Sequence, residues 1–410
     1  MQDNSDPGKD KWYGWVMVFV GFSLSAMSFG GLSTVGVFLK PLIAEFGWSR
    51  GGTALGFTVA ALSAAVFGLL WGFFADRRPT RRFMLMAAVA MSAALMLLSQ
   101  MTAQWQYYLF FFLFGAFGHG AVASTAWANI GQWFTANKGL ALGVGLAGSA
   151  FGQAAVPFIA RLLISAYDWQ TAYLILGAVY LVLGLAIAAL TRDPPAKRAR
   201  LATIGEGTQT SGAWSLGSAK PTVIWFSVAV IFCCSCMSVA IVHIVPAMSD
   251  NGFKPEIAAS VLTVVMLAGA LGRLSSGKFC DMFGPLQTYA TMSLGQTCLV
   301  IWFPHVETLF GAYGLAAVFG FFFSGVMASM IISVNVMVPG EVAARSWAVV
   351  SLFAWCGMGL GSYMGGALFD LTGSYTWPFA FAFATLMGCG NLIVLLSYGI
   401  SRNGRRPALA

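Results

Sequence analysis

Arg273 sits where arginines are rarely kept, inside an apolar stretch running from about 257 to 280 that closes on Gly277-Lys278-Phe279-Cys280-Asp281. A guanidinium in hydrocarbon costs several kcal/mol and is seldom retained without a partner or a ligand. Its planar fork stays charged and matches a carboxylate through two parallel hydrogen bonds. The competing reading is a side chain that snorkels to the nearer membrane edge or braces a helix. Asp281 lies eight residues on, about 12 Å of helical rise, which is a long way to snorkel. The expected ligand is a carboxylate that crosses the membrane.

Groups able to move a proton are few. All 14 acids fall in tails, loops or segment ends, so no carboxylate relay crosses the bilayer centre. His119 and His243 remain, and histidine titrates near neutral pH. For each, the alternative is an imidazole satisfied by a neighbouring hydroxyl or carbonyl. Ser33, Asn129, Asn335 and Trp355 complete the candidate substrate path. Polar groups in such segments more often hydrogen-bond one helix to another, and aromatics more often pack.

Other chemistries find no support. The seven cysteines are odd in number and lie in or at the ends of apolar segments. Cys233-Cys234-Ser235-Cys236 point in different directions on a helix, so neither a metal nor a cofactor is expected. The glycine-rich runs 139–152 and 357–366 follow no strand and read as close helix contacts rather than nucleotide loops. No Gly-x-Ser-x-Gly elbow is present, and an enzyme is not expected.

The elements that must position these residues are membrane helices. The 410 residues are 58% hydrophobic and 9% charged, against roughly 25% charged in a soluble domain. A spanning helix needs about 20 apolar residues. That rule predicts an all-α membrane protein with twelve transmembrane helices, near 15–39, 50–74, 83–101, 105–130, 139–162, 169–191, 221–247, 257–280, 285–304, 308–336, 346–369 and 376–400. With both termini on one side, that side holds 17 of the 22 Lys and Arg. The excess predicts cytoplasmic termini, and it explains the net charge of +8 without nucleic acid. The polar start, Met1–Lys11, runs into its first segment with no cleavage site and is not expected to be removed.

The chain also repeats. Gly72-x-x-x-Asp76 recurs as Gly277-x-x-x-Asp281, 205 residues later. Asn129 and Asn335 are 206 apart, and Lys138 and Arg345 are 207 apart. A near-constant offset of half the chain predicts two pseudo-symmetric six-helix halves, 1–192 and 221–410. Between them, 193–220 is rich in basic, Gly, Ser and Thr residues after Pro194-Pro195, and reads as a cytoplasmic linker.

These residues resemble the major facilitator superfamily. Trp71–Arg82, WGFFADRRPTRR, is similar to its Gly-x-x-x-Asp-Arg-x-Gly-Arg-Arg loop at Gly72, Asp76, Arg77, Arg81 and Arg82, and departs from it near Pro79. The second copy keeps Gly277, Asp281 and Gly284. The resemblance implies that Gly72, Asp76, Arg77, Gly277 and Asp281 latch the halves rather than bind substrate. Gly36-Val37-Phe38-Leu39-Lys40-Pro41, Trp133–Gly143 and His243-Ile244-Val245-Pro246 resemble monocarboxylate transporters, bacterial homologues included, over the whole chain. In that family Arg273 occupies the place of the substrate-carboxylate ligand. Gly269 stands where the animal proton–lactate carriers have an Asp, and Ser33 where they have a Lys. Ala354 stands where the related oxalate–formate exchanger has its second cation, with Trp355 beside it.

A secondary carrier of a small organic monocarboxylate follows as the expectation, working by alternating access with proton symport. A carboxylate exchanger is the alternative. The partners are then the anion, a proton and the lipid of a bacterial inner membrane, and a monomer is expected.

Overall fold

The computed structural model describes residues 7–75, 77–134, 138–195, 197–198, 201, 220–338, 343–384, 390–392, 396 and 399. The chain is all-α, with no strand among the described residues. Hydrocarbon offers no partner for backbone N–H and C=O groups, so each apolar segment must satisfy its own by coiling.

The helices in chain order are α1 (Pro7–Ser33), α2 (Val35–Phe46), α3 (Arg50–Ala75), α4 (Thr80–Leu98), α5 (Gln104–Leu113), α6 (Gly120–Trp133), α7 (Lys138–Ala166), α8 (Trp169–Ala189), α9 (Lys220–Asp250), α10 (Pro255–Phe283), α11 (Pro285–Val300), α12 (Leu309–Met337), α13 (Ala343–Thr372) and α14 (Thr376–Phe383). A π-helical turn, Phe114–His119, joins α5 to α6. Among the described residues, 10 helical stretches are long and apolar enough to span a membrane. Of the twelve expected, 285–304 appears as α11 with 16 residues, about 24 Å of helix, and most of 376–400 lies outside the described residues.

Local chemistry sets the helix ends. Asp168 caps α8 by accepting the Thr171 N–H, and Thr308 caps α12 by accepting that of Gly311. Gly284, at φ 93, reverses the chain between α10 and α11, and Pro285 opens α11 with the fixed φ that suits a first helical turn.

Two compact units form. One contains Met1–Thr34 and Leu62–Ala213, the other Val35–Ala61 and Trp214–Ala410. The chain first changes unit at Thr34, where the expected single span breaks into α1 and α2 and the Thr34 hydroxyl donates to the Gly31 carbonyl at 2.7 Å. It changes back between Ala61 and Leu62, within α3 and without a break.

Within each unit, glycines bring helix backbones together, as the glycine-rich runs led one to expect. In the first, a Cβ on Gly148 or Gly152 of α7 would strike the backbone of Phe22 or Ala26 on α1. In the second, a Cβ on Gly357 or Gly361 of α13 would strike the backbone of Ile231 or Ser235 on α9. These four pairs correspond at one offset, 209 residues. Likewise a Cβ on Gly120 would meet the backbone of Ala64 and Gly68 in the first unit, and one on Gly269 or Gly272 would meet Ser324 or Phe321 in the second. In lipid the attraction between helices comes from such close packing rather than from the hydrophobic effect.

Candidate functional site

Arg273 lies on α10, four residues past the midpoint of this 29-residue helix, about 6 Å along its axis. Residues three, four and seven apart share a helix face. By that rule Arg273 aligns with Leu262, Met266, Gly269, Ser276 and Cys280, all buried. The opposite stripe, Leu267, Leu271, Leu274 and Met282, is exposed. Arg273 is itself half-buried on the protein-facing side. Gly269 and Gly272 flank it and let α12 approach, since a Cβ there would meet Ser324 and Phe321. Gly269 therefore serves as a helix contact.

A second polar cluster closes the end of the second unit at which α3 begins. The Arg50 guanidinium lies 2.6 Å from Asp250, which also pairs with Lys40 at 2.6 Å. The Asp370 carboxylate accepts the backbone N–H groups of Arg50 and Gly51 at 2.8 and 2.7 Å. The same guanidinium stacks 3.6 Å from the Phe369 ring centroid and 5.0 Å from that of Tyr375. Arg50, Asp250, Asn251, Phe369, Ser374 and Tyr375 line a cavity of about 430 Å³. Burial pushes the Tyr375 phenol above its usual range, against the opposing pull of Arg50, so it remains a hydroxyl. Beneath it, His243 is wholly buried, with Nε2 at 2.9 Å from the Ser362 carbonyl and Nδ1 at 3.5 Å from the Tyr375 hydroxyl.

His119 belongs to the first unit. It ends the π-helical turn, its Nδ1 lies 2.6 Å from the Ser28 hydroxyl, and its ring meets Phe29 edge to face at 4.5 Å. A π-turn displaces one residue from the helical ladder and often marks a functional position.

Asn129 is buried among protein partners. Its Nδ2 donates to Thr80 Oγ1 and to the Arg192 carbonyl, both at 3.2 Å, and its Oδ1 accepts from Trp133 at 3.0 Å. Neither amide hydrogen is left for a substrate. The group joins a buried cluster in which Asp193 caps α4 at the Thr80 N–H and pairs with Lys197 at 3.0 Å.

The remaining candidates are spread out. Ser33 is buried at the end of α1, and Trp355 is half-buried on α13. The Asn335 side chain and Asp76 lie outside the described residues. Gly72 faces Ser124 at an ordinary 3.9 Å, and a Cβ on Gly277 would meet nothing within 4 Å. Arg77 and Asp281 are exposed, and among the described residues no cation pairs with Asp281. Also among the described residues, no three His, Cys, Asp or Glu side chains converge on a metal position.

Comparison with known proteins places this architecture. The model of the Major Facilitator Superfamily matches residues 21–313. The chain belongs to the Major Facilitator Superfamily. It is a transporter of that superfamily and not an enzyme, and it is monocarboxylate-transporter-like. It is 28% identical over 410 aligned residues to monocarboxylate transporter 13 of Rattus norvegicus, covering 96% of this chain and 91% of the relative. It is 26% identical to monocarboxylate transporter 11 of Homo sapiens over 90% of this chain and 80% of that one. Among solved structures, the inward-facing, unoccupied bacterial homologue of the human lysosomal transporter Spinster superposes with a TM-score of 0.67 over 99% of this chain and 100% of that one, at 16% identity. That likeness carries the Major Facilitator Superfamily fold and no substrate.

The sequence had marked Arg273 and His243 but not Arg50, Asp250, Asp370 and Tyr375 as a group. One signal was available. Lys40 and Arg50 are two of only four basic residues expected at that edge, and acids close the spans at Asp250 and Asp370.

Proposed function

We propose that the protein carries a small organic monocarboxylate across a bacterial inner membrane by alternating access, coupled to a proton. The observation that carries this reading is the position of Arg273, near mid-helix on the buried stripe of α10 while the leucines beside it face outward. A guanidinium kept there can hold a carboxylate in an apolar setting, where a charge-assisted pair is strong and selective. The names of the two mammalian relatives support the same substrate class. A single cation suits a monoanion. One accompanying proton makes the transfer electroneutral.

The positive-inside bias puts both termini in the cytoplasm and Arg77–Arg82 on that side. Arg50 and its partners then form the outer gate, and the two Gly-x-x-x-Asp loops the inner latch, in a carrier acting as a monomer of two six-helix halves, 1–192 and 221–410, joined by 193–220. His119 and Ser33 remain candidates along the path. A second reading, substrate-for-substrate exchange, is favoured by one observation: Gly269 and Ser33 hold no titratable group where the animal carriers have Asp and Lys.

The test is uptake of labelled monocarboxylates and dicarboxylates into proteoliposomes, with and without an inward proton gradient. Accumulation of a monocarboxylate with the gradient supports symport. Uptake that requires internal substrate and ignores pH supports the exchanger.

A further inference from the structure

His243 of α9 has two ring nitrogens with unlike partners. The Ser362 carbonyl at 2.9 Å can only accept, so Nε2 carries the hydrogen. Nδ1 then presents a lone pair, and the Tyr375 hydroxyl is its neighbour at 3.5 Å. Tyr375 lines the cavity of about 430 Å³ together with Arg50 and Asp250. One phenol therefore separates a fully buried base from a polar cavity. The seat is held tightly, since a Cβ on Gly365 would come within 2.5 Å of the imidazole.

The charged and titratable groups around this base come from several elements. α2 brings Lys40, α3 brings Arg50, α13 brings Asp370, the turn before α14 brings Tyr375, and α9 itself ends in Asp250. His305, in the 303–305 turn, is exposed. α10 and α14 turn apolar side chains inward, among them Leu262, Met266 and Phe379.

We infer that His243 is a proton-binding site of the carrier, loaded from the Arg50 cavity through Tyr375. The inference rests on the proton-coupled reading above and supplies the coupling group that Gly269 and Ser33 do not. In the transfer, the Tyr375 hydroxyl gives its proton to Nδ1 and takes one from a hydronium ion in the cavity. The net change is hydronium and neutral imidazole to water and imidazolium. No other bond breaks. The Nε2–H bond to Ser362 persists and gains strength from the charge. Arg50, which lies against the other side of the Tyr375 contact, repels an imidazolium. Proton loading therefore weighs on the Arg50 guanidinium and its pair with Asp250, while the Asp370 carboxylate attracts the new charge, which ties the proton to the state of that end.

The direct test is the nitrogen spectrum of histidine-labelled full-length protein in lipid nanodiscs, from about pH 8 down to pH 4. His243→Gln serves only to identify the signal, since its line must vanish. The expected result is an Nε2–H neutral ring that converts to imidazolium as the pH falls. A ring that stays neutral to pH 4, in the wild type and in Arg50→Gln alike, overturns the inference. The relay is tested by Tyr375→Phe, which keeps the ring packing and removes the hydroxyl. The acceleration of pyruvate uptake by an inward proton gradient is expected to fall about tenfold, and an unchanged acceleration overturns the role of Tyr375. A His243 that titrates in a protein that moves no monocarboxylate at all would sink the substrate reading and leave the proton site standing.

Discussion

Asp370 reaches from α13 to the first residue of α3, where its carboxylate accepts the Arg50 backbone N–H at 2.8 Å. A cation at a helix N-terminus faces the positive end of the helix dipole, and a carboxylate placed there offsets it. Asp370 does this for the backbone while Asp250 binds the guanidinium, so two acids from two helices converge on one residue. α3 is thereby held by its end.

Loss of the cap is expected to be measurable. Asp370→Ala removes the acceptor for two N–H groups and should cost about 1 kcal/mol, seen as a lower unfolding midpoint in detergent. Asp370→Asn keeps an acceptor and should cost less. Equal losses would mean that charge, not capping, dominates.

The guanidinium pair is partly solvated, with side-chain exposures of 17% for Arg50 and 31% for Asp250. A double-mutant cycle on Arg50→Gln and Asp250→Asn should return a coupling of about 0.5–1 kcal/mol. Strict additivity would show the pair to be energetically idle.

Gly152→Leu and Gly361→Leu should each abolish stable folding or lower the unfolding midpoint severely. Each drives a side chain into the backbone of Ala26 or Ser235, and overpacking typically costs 1–3 kcal/mol or more. Gly143→Ala is the control, since nothing lies within 4 Å of its Cβ position. Equal tolerance at all three positions, read by thermal unfolding, would contradict the glycine contacts.

Asp193 and Lys197 are nearly inaccessible, with side-chain exposures of 7% and 5%. Asp193→Asn strands a buried ammonium and should destabilise by about 3 kcal/mol, as breaking one partner of a buried pair does. Asp193→Asn with Lys197→Met removes both charges and should recover part of the loss. No recovery would show that the hydrogen bonds to Thr80 matter more than the ion pair.

Local patterns were legible in the sequence. Apolar length located ten of the twelve expected spans among the described residues, and the glycine runs marked the α7 and α13 contacts. Arg273 stood out because a charge in an apolar run is expensive. What escaped was long-range pairing. Arg50 is 200 residues from Asp250 and 320 from Asp370, and nothing local in the sequence reports which charges meet. The break at Thr34 was hidden because Gly30, Gly31 and Gly36 interrupt no hydropathy. The partners of Asn129 were equally hidden. Its amide meets Thr80 and Arg192, 49 and 63 residues away.

Transport by Arg273 variants tests the central claim most directly. Initial uptake of a monocarboxylate panel into proteoliposomes should fall at least a hundredfold in Arg273→Ala, with the unfolding midpoint and detergent behaviour of the wild type retained. Arg273→Lys keeps the charge but loses the fork, and should recover a small part of the rate at weaker apparent affinity. Wild-type uptake by folded Arg273→Ala would make the arginine structural and contradict the account built on it.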